Sequence, residues 1–317
     1  MLMTSRRTTL KSIAAAPVMA TSLGACSIGA GPHYDGRSAP EVSGPEEIAR
    51  FEGCLALVLS SGGPRGFVHV GVLQALDEIG FRPDLVVGAS VGALLAALYC
   101  AGLKGRDLRK EALEISVVKL ANVALGADET FNGAPLARFV NEAVDYEPIE
   151  KLRPHCAIAA LEQKTRQPVL FTRGNTGAAV QASAAIEGRF TPVKIRGRTY
   201  VDLDEVNPLP VRLTRALGAG RILSVDASAH EDRAPSGSSR YRAGDLRKRA
   251  NTLPDSDAAD LNLHPFFGYW VSLSEDFRRR AINAGYEEVM RQRSRIERLM
   301  QEGPSAKHSP APKAVSA

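Results

Sequence analysis

Cysteine is scarce in this sequence of 317 residues, and the four that occur, Cys26, Cys54, Cys100 and Cys156, show no paired spacing. That absence excludes the closely spaced cysteine pairs of structural zinc sites and redox motifs. The last three lie in apolar runs, which favours buried free thiols, although a disulfide in an oxidising compartment stays open.

Excess charge of one sign and a membrane-length apolar run at the amino terminus are also missing. The formal net charge is +5, and Arg6, Arg7 and Lys11, in a leader without acids, carry three of these charges. The remaining +2 gives no support to nucleic acid as a partner. The apolar run Ile13–Ala20 in the leader is too short to span a bilayer.

Residues 1–25 have the pattern of an export signal, in which basic residues precede a short apolar run. The arginine pair resembles a twin-arginine signal, and Leu-Gly-Ala before Cys26 resembles a lipobox, whose cysteine receives a lipid. The alternative is a Sec-type signal that ends in an unmodified cysteine. We predict an exported lipoprotein on a periplasm-facing membrane of a bacterial envelope, and Ser27 favours the outer membrane.

The domain boundaries follow from composition. Residues 26–50 are rich in Gly, Pro and Ser and predict a flexible tether after the lipidated cysteine. Residues 303–317 have the composition of a disordered tail. Residues 51–302 between them form the predicted folded domain.

Short apolar runs alternate with helical patterns in that domain, which predicts an α/β fold of three α/β/α layers around a mostly parallel sheet. The first predicted elements are a strand at Leu55–Leu59, a helix at Val68–Ile79, a strand at Asp84–Val87 and a helix at Val91–Ala101. Further along, strands are predicted at 155–161, 169–172 and 222–225, a helix at 178–186, and a hairpin between Val193 and Val201.

The last part of the domain has weaker patterns. Residues 230–265 are polar and predict a long loop or lid, whereas Phe277–Met300 predicts one final helix. One side of that helix is basic. The favoured interpretation is a solvated face, and contact with anionic lipid head groups is the alternative.

Two glycine-rich turns follow the first two strands. In the second turn, Gly88 and Gly92 flank Ser90 in the Gly-x-Ser-x-Gly pattern of a nucleophile elbow, where a strand turns sharply into a helix. The first turn has backbone amides that can form an oxyanion hole: Gly62, Gly63, Arg65 and Gly66. It lacks the Gly-Lys-Ser/Thr ending of a phosphate-binding loop, which argues against a nucleotide site.

A nucleophilic serine needs a base. Among the six histidines, His230 and His264 follow the candidate acids in the chain order of an α/β-hydrolase, but neither has a supporting local pattern. His69 lies near the first turn, where we expect it to pack at the start of the helix. Asp202 ends a predicted strand and offers a base that acts without histidine.

Four motifs in order resemble the patatin-like phospholipase family: the turn and helix start Ser61–Leu73, the elbow Gly88–Gly92, the segment Gln181–Ile186, and Tyr200-Val201-Asp202 followed by Asn207-Pro208-Leu209-Pro210. The resemblance implies a serine acyl hydrolase of phospholipid or other fatty acyl esters, with neither metal nor cofactor. It also implies Ser90 as nucleophile, Asp202 as base and the glycine turn as oxyanion hole.

Three positions depart from the family pattern. Ser61 replaces a glycine, Glu187 stands where proline is usual, and Asp202-Leu203-Asp204 replaces an Asp-Gly-Gly or Asp-Gly-Ala sequence. The charge of Asp204 is expected either to raise the pKa of Asp202 or to compete for the serine hydroxyl. Two alternatives therefore stay open: a catalytically impaired relative that binds lipid or protein, and a histidine-dependent esterase.

Overall fold

A mixed ten-stranded sheet forms the centre of the computed structural model, which describes residues 32–114 and 132–303. The strands in these ranges are β1 (His33–Tyr34), β2 (Glu41–Val42), β3 (Leu55–Leu59), β4 (Leu85–Ala89), β5 (His155–Glu162), β6 (Gln167–Arg173), β7 (Val193–Ile195), β8 (Arg198–Val201), β9 (Arg221–Val225) and β10 (Leu261–Leu263).

Helices surround this sheet. Within the described ranges they are α1 (Pro45–Phe51), α2 (Phe67–Glu78), α3 (Val91–Cys100), α4 (Gly105–Glu114), α5 (Ala134–Ala143), α6 (Thr176–Ser183), α7 (Val211–Ala216), α8 (Ser239–Ala258), α9 (Glu275–Arg291) and α10 (Arg293–Gln301). None of the helices in the described part of the chain is long and apolar enough to cross a membrane.

The parallel part of the sheet runs in the order β5-β4-β3-β9-β10. Strand β6 is antiparallel to β2 and β5, and β8 is antiparallel to β5 and β7, whereas β1 and β7 pair in parallel. The register sets Leu59 beside both Gly88 and Val225. Because the carboxyl ends of β3, β4 and β9 meet at one edge, the turns that follow them are brought together there.

Alternating side chains of β3 point to opposite faces of the sheet. Leu57 and Leu59 join the apolar cluster that contains residues of α2, α3 and α9, whereas Ala56 and Val58 join a second cluster with Phe51 of α1 and Val211 of α7. Helices therefore cover both faces, which explains why β3 is buried along its whole length. The predicted α/β fold with a central sheet is confirmed.

The prediction of a loop at 230–265 is wrong. α8 occupies twenty of these residues, and β10 extends the sheet beside β9. Polar contacts anchor α8: the buried Asp255 accepts from the Arg212 amide at 2.7 Å, and Arg249 contacts Asp226 at 3.2 Å. A helix held by charged groups has no apolar stripe for the sequence to display.

The prediction of a single final helix at Phe277–Met300 is also wrong, because the helix is divided in two. Two helices, α9 and α10, meet at Gln292, whose amide still donates to Glu288 O at 3.0 Å. α9 begins after Ser274, whose hydroxyl accepts from the Phe277 amide at 3.3 Å. The helical spacing of apolar residues continues through this bend, so the bend cannot be recognised from the sequence.

The tether predicted at 26–50 is wrong for residues 33–50. β1 pairs with β7, β2 pairs with β6, and Glu47 of α1 is buried against Arg173, with Nε 2.9 Å from Oε1. Two-residue strands pair through backbone groups, so side-chain periodicity does not reveal them. The export signal and Cys26 lie outside the described residues, as does the predicted tail from residue 304 onward.

Candidate active site

Ser90 stands at a sharp turn between β4 and α3. Its backbone angles are φ 53° and ψ −118°, a combination that residues other than glycine rarely adopt. A Cβ at Gly88 would lie 2.2 Å from the Gly92 carbonyl oxygen, and one at Gly92 would lie 2.3 Å from the Leu59 carbonyl oxygen. The flanking glycines are thus required because α3 approaches β3 and β4 too closely for any side chain.

The amide of Ser90 is held by a residue from another element. It donates to Ser183 Oγ of α6 at 2.8 Å, and the Ser183 hydroxyl donates to Ala159 O of β5 at 2.6 Å. Sequence reasoning assigns no role to Ser183. Ser183 lies in the segment Gln181–Ile186, one of the motifs that resemble the family, and this motif is the sequence signal for its role.

Asp202 lies directly beyond β8, and its carboxylate is near enough to the Ser90 hydroxyl for that hydroxyl to lower the pKa of Asp202. Oδ1 also accepts from the Asp204 amide at 2.8 Å, and the Asp202 amide donates to Ala185 O at 3.0 Å. Burial, followed by the nearby charge of Asp204, raises the pKa of Asp202 to about 7, against the opposing effects of Ser90, the Asp204 amide and Lys248. This carboxylate therefore exchanges a proton near neutral pH, as a general base requires.

Asp204 has partners of its own. Lys248 Nζ of α8 lies 2.5 Å from Asp204 Oδ1, and the Ser61 hydroxyl donates to the same oxygen. Burial alone would raise the pKa of Asp204, but the charge and hydrogen bond of Lys248 and the hydroxyl of Ser61 lower it overall. The expectation that the charge of Asp204 raises the pKa of Asp202 is confirmed, and the hydrogen bonds of Asp204 go to Ser61 and Lys248.

The departures from the family pattern are thus connected in space. Ser61 and Asp204, each in a glycine position, bond to one another. Leu203 is fully buried in the apolar cluster that holds Val201 and Leu209, so its side chain points away from the carboxylates. Glu187 contacts Arg166, with Oε2 2.5 Å from Nη1.

The first glycine turn forms a short 3-10 segment, Gly63–Gly66. Gly63 has φ +52° and open space where a Cβ would stand, which leaves its backbone exposed to a ligand. The Arg65 amide, in contrast, donates to Gly62 O at 3.1 Å and is not a free donor. A Cβ at Gly66 would lie 2.4 Å from Val91 Cγ1, so that glycine serves packing. The hydrogen bond of its amide removes Arg65 from the four candidate oxyanion donors. Of the other three, Gly62 and Gly63 line the cavity that contains Ser90, whereas Gly66 does not.

A cavity of about 240 Å³ joins these groups. Its lining comes from both glycine turns, the segment after β8, the end of the Gln181–Ile186 motif and α8: Gly62, Gly63, Ser90, Ile186, Glu187, Asp202, Asp204, Glu205 and Lys248. A substrate carbonyl in this cavity can reach a hydroxyl, a carboxylate and backbone amides together.

No histidine belongs to that lining. His69 is fully buried with Nε2 2.9 Å from Ser60 O, and burial lowers its pKa to about 4. His230 and His264 stack on each other with ring centroids 3.7 Å apart, beside Ser228. Residues 32–114 and 132–303 also contain no cluster of three or more metal-ligating side chains.

A sequence model of the patatin-like phospholipase family matches residues 57–202 of this chain. This segment belongs to the patatin-like phospholipase family. The match begins in β3 and ends at Asp202, so the patatin-like segment contains both glycine turns, Ser90 and its carboxylate partner.

Curated proteins similar to the patatin-like segment come from distant organisms. An NTE family protein of Mycobacterium tuberculosis is 30% identical over 180 residues, covering 56% of this chain and 50% of that protein. A neuropathy target esterase of Drosophila melanogaster is 27% identical, covering 56% and 13%. A lysophospholipase of Coccidioides immitis is 28% identical, covering 58% and 12%. The chain spans half or less of the length of these relatives.

Among solved structures, VipD from Legionella pneumophila is similar with a TM-score of 0.46 and 14% identity, covering 85% of this chain and 71% of that one. The effector ExoU is similar with a TM-score of 0.43 and 13% identity, covering 78% and 53%.

Proposed function

We propose that this chain is a serine acyl hydrolase that cleaves phospholipid or other fatty acyl esters with a Ser90–Asp202 dyad. The observation that carries the proposal is the placement of the Ser90 hydroxyl and a buried carboxylate, whose pKa is about 7, in the wall of one cavity. The names of two relatives, an esterase and a lysophospholipase, support lipid esters as the substrate class.

The geometry suggests a two-step reaction. Asp202 accepts the proton of Ser90 while Oγ attacks the ester carbonyl carbon, and the oxyanion that forms takes hydrogen bonds from the Gly62 and Gly63 amides. Each such donor contributes about 3–4 kcal/mol to the barrier reduction in comparable enzymes. The leaving alcohol takes the proton from Asp202. Water then attacks the acyl-serine and loses a proton to Asp202, and Asp202 returns that proton to Ser90 Oγ as the fatty acid leaves.

Export and anchoring remain part of the proposal. A lipid on Cys26 would hold the hydrolase at a periplasm-facing membrane, where its substrate is present. The folding of residues 33–50 against the sheet shortens the tether that the sequence predicts.

A second candidate, a binding protein without catalysis, has one observation in its favour. Because the pKa of Asp202 is about 7, a large share of the molecules would carry a protonated Asp202 at neutral pH. Such molecules lack a base for Ser90.

Covalent labelling distinguishes the two candidates. We expect a fluorophosphonate probe to modify the purified full chain at about pH 8.5, where Asp202 is ionised, and mass spectrometry to locate the adduct on Ser90. Release of fatty acid from lysophosphatidylcholine should accompany it. Absence of both the adduct and the turnover at that pH would favour the binding protein.

Replacing Ser183 by alanine should slow the reaction through the position of Ser90. The change removes the acceptor of the buried Ser90 amide, and an unsatisfied buried donor costs about 1–3 kcal/mol. We expect kcat for p-nitrophenyl butyrate to fall about 10- to 100-fold with little change in KM, since the amide is held before substrate binds.

Ser224→Ala is the matched control. It breaks a buried hydroxyl bond of 2.7 Å to Asn262, on β9 and outside the cavity lining. Both variants should unfold at lower temperature, but only Ser183→Ala should lose kcat. Equal kcat losses in the two variants would show that Ser183 has only a structural role.

A further inference from the structure

Four large apolar side chains are exposed on α8 and on the segment before α9. They are Tyr241 of α8, exposed at 42%, and Phe266, Trp270 and Val271 of the segment before α9, exposed at 44%, 51% and 48%. We call these four residues the aromatic surface. Tyr241 and Trp270 contact each other, with ring centroids 5.8 Å apart. Single exposed apolar residues are ordinary, whereas adjacent aromatic ones mark an interaction site.

Arginines flank the aromatic surface. The guanidinium of Arg240 lies 4.5 Å from the Tyr241 ring centroid, and that of Arg233 lies 4.5 Å from the Phe266 ring. Arg242 and Arg247 are exposed on α8, and no ion pair in the described ranges involves Arg240, Arg242 or Arg247. These three arginines of α8 therefore have no carboxylate partner within salt-bridge distance in the described parts of the chain, whereas Arg233 lies 4.0 Å from Asp232.

The aromatic surface is joined to the cavity on two sides. Lys248, two helical turns after Tyr241 on the same face of α8, lines the cavity with Ser90. Arg65, in the turn that holds Gly62 and Gly63, donates through its guanidinium to the carbonyl oxygens of Tyr269 and Gly268. The Tyr269 ring in turn lies 5.1 Å from that of Trp270.

We propose that the aromatic surface docks onto an anionic lipid bilayer and presents the Ser90 cavity to it. Tyrosine and tryptophan rings are favoured at the boundary between head groups and acyl chains, and each arginine near an anionic membrane contributes attraction. The charge complementarity of Arg240, Arg242 and Arg247 selects such a membrane over a neutral one. The proposal rests on the proposed function for the use of the cavity, while membrane binding itself can be measured without turnover.

Vesicle sedimentation tests the docking. The full chain should carry Cys26→Ser throughout, so that an acyl anchor cannot supply the binding. We expect it to sediment with vesicles of equal parts phosphatidylglycerol and phosphatidylcholine, and much less with phosphatidylcholine alone. Trp270→Ala should weaken binding about tenfold or more, and Arg242→Gln with Arg247→Gln should weaken it roughly 10- to 30-fold at low salt.

Two control variants test whether binding depends on the aromatic surface and its arginines rather than on any exposed aromatic or basic residue. Tyr146→Ala removes an aromatic side chain exposed at 68% elsewhere, and Arg280→Gln with Arg295→Gln removes two exposed charges from α9 and α10. Both should bind vesicles like the parent. Loss of binding in the α9–α10 pair alone, or equal binding by all variants, would overturn the proposal.

Two further measurements separate membrane docking from the proposed hydrolase activity and from self-association. Turnover of soluble p-nitrophenyl butyrate should be unchanged in Trp270→Ala. If the parent and every variant lacked this turnover, the proposed hydrolase activity would be contradicted, while the proposed membrane docking would still stand. Sedimentation velocity without vesicles tests self-association: a dimer that Trp270→Ala dissociates, in a chain that ignores vesicles, would make the surface a protein interface and overturn membrane docking.

Discussion

Replacing Ser90 by alanine is expected to lower turnover of p-nitrophenyl butyrate by about 10⁴- to 10⁶-fold, because loss of a nucleophile leaves only binding and oxyanion stabilisation. The fold should survive, since the substitution removes one oxygen atom from a side chain at the wall of a cavity. Turnover and fluorophosphonate labelling measure the chemical effect, and thermal unfolding monitors the fold.

The same experiment separates the dyad from a histidine-dependent esterase. Ser228 Oγ lies 3.3 Å from His264 Nε2, so this pair is the matched serine and histidine outside the cavity. Ser228→Ala and His264→Ala should each keep turnover within about twofold, because neither side chain lines the cavity that contains Ser90. A Ser90→Ala protein with a tenth of the parent turnover, or a dead His264→Ala protein, would contradict the Ser90–Asp202 dyad.

The part of the fold that could be predicted is the part that burial dictates. Leu55–Leu59 is apolar at every position because helices cover both faces of the sheet, and such a run has few other interpretations. The nucleophile elbow could be predicted for a similar reason. Gly88 and Gly92 lie where two backbone segments come too close for a side chain, so glycine at these positions is visible in the sequence. Local signals of this kind need no knowledge of distant residues.

The features that could not be predicted depend on contacts between distant parts of the chain. Lys248 reaches Asp204 across 44 residues from a helix whose composition resembles a loop. Ser183 reaches Ser90 across 93 residues, and serine is too common to reveal such a contact. The sequence alone offers the Arg65 amide as an oxyanion donor, but in the folded turn this amide donates to Gly62 O. Pairing of this kind is decided by tertiary structure, which composition and periodicity do not encode.

Replacing Asp202 by asparagine should lower turnover by roughly 10³- to 10⁴-fold, because an amide of the same shape cannot accept the proton of Ser90. In the parent protein kcat/KM should rise with pH through about 7, as Asp202 loses its proton. Labelling of Ser90 by the fluorophosphonate should follow the same profile. A flat profile between about pH 6 and 8 would contradict a role for Asp202 as the base.

Stability should change in the opposite direction. The pKa of Asp202 is raised from 3.8 to about 7 in the folded chain, so the folded state holds a proton that the unfolded state releases. This contribution to the free energy of unfolding is fully present below about pH 4 and is lost as the pH rises through about 7. Asp202→Asn avoids the buried charge, and its unfolding free energy should exceed that of the parent by a few kcal/mol at about pH 9. Urea unfolding at several pH values measures the difference.

The neighbours of Asp202 identify the cause of the shift. Asp204→Asn removes a negative charge and should move the midpoint of the kcat/KM profile to lower pH, whereas Lys248→Met removes a positive charge and should move it to higher pH. Both side chains line the same cavity, so loss of cavity shape would slow the two variants without separating their midpoints. Equal midpoints in the parent and both variants would show that burial alone sets the pKa. Opposite shifts would show that Asp204, in a glycine position of the family pattern, moves the working range of this site toward alkaline pH while Lys248 limits that movement.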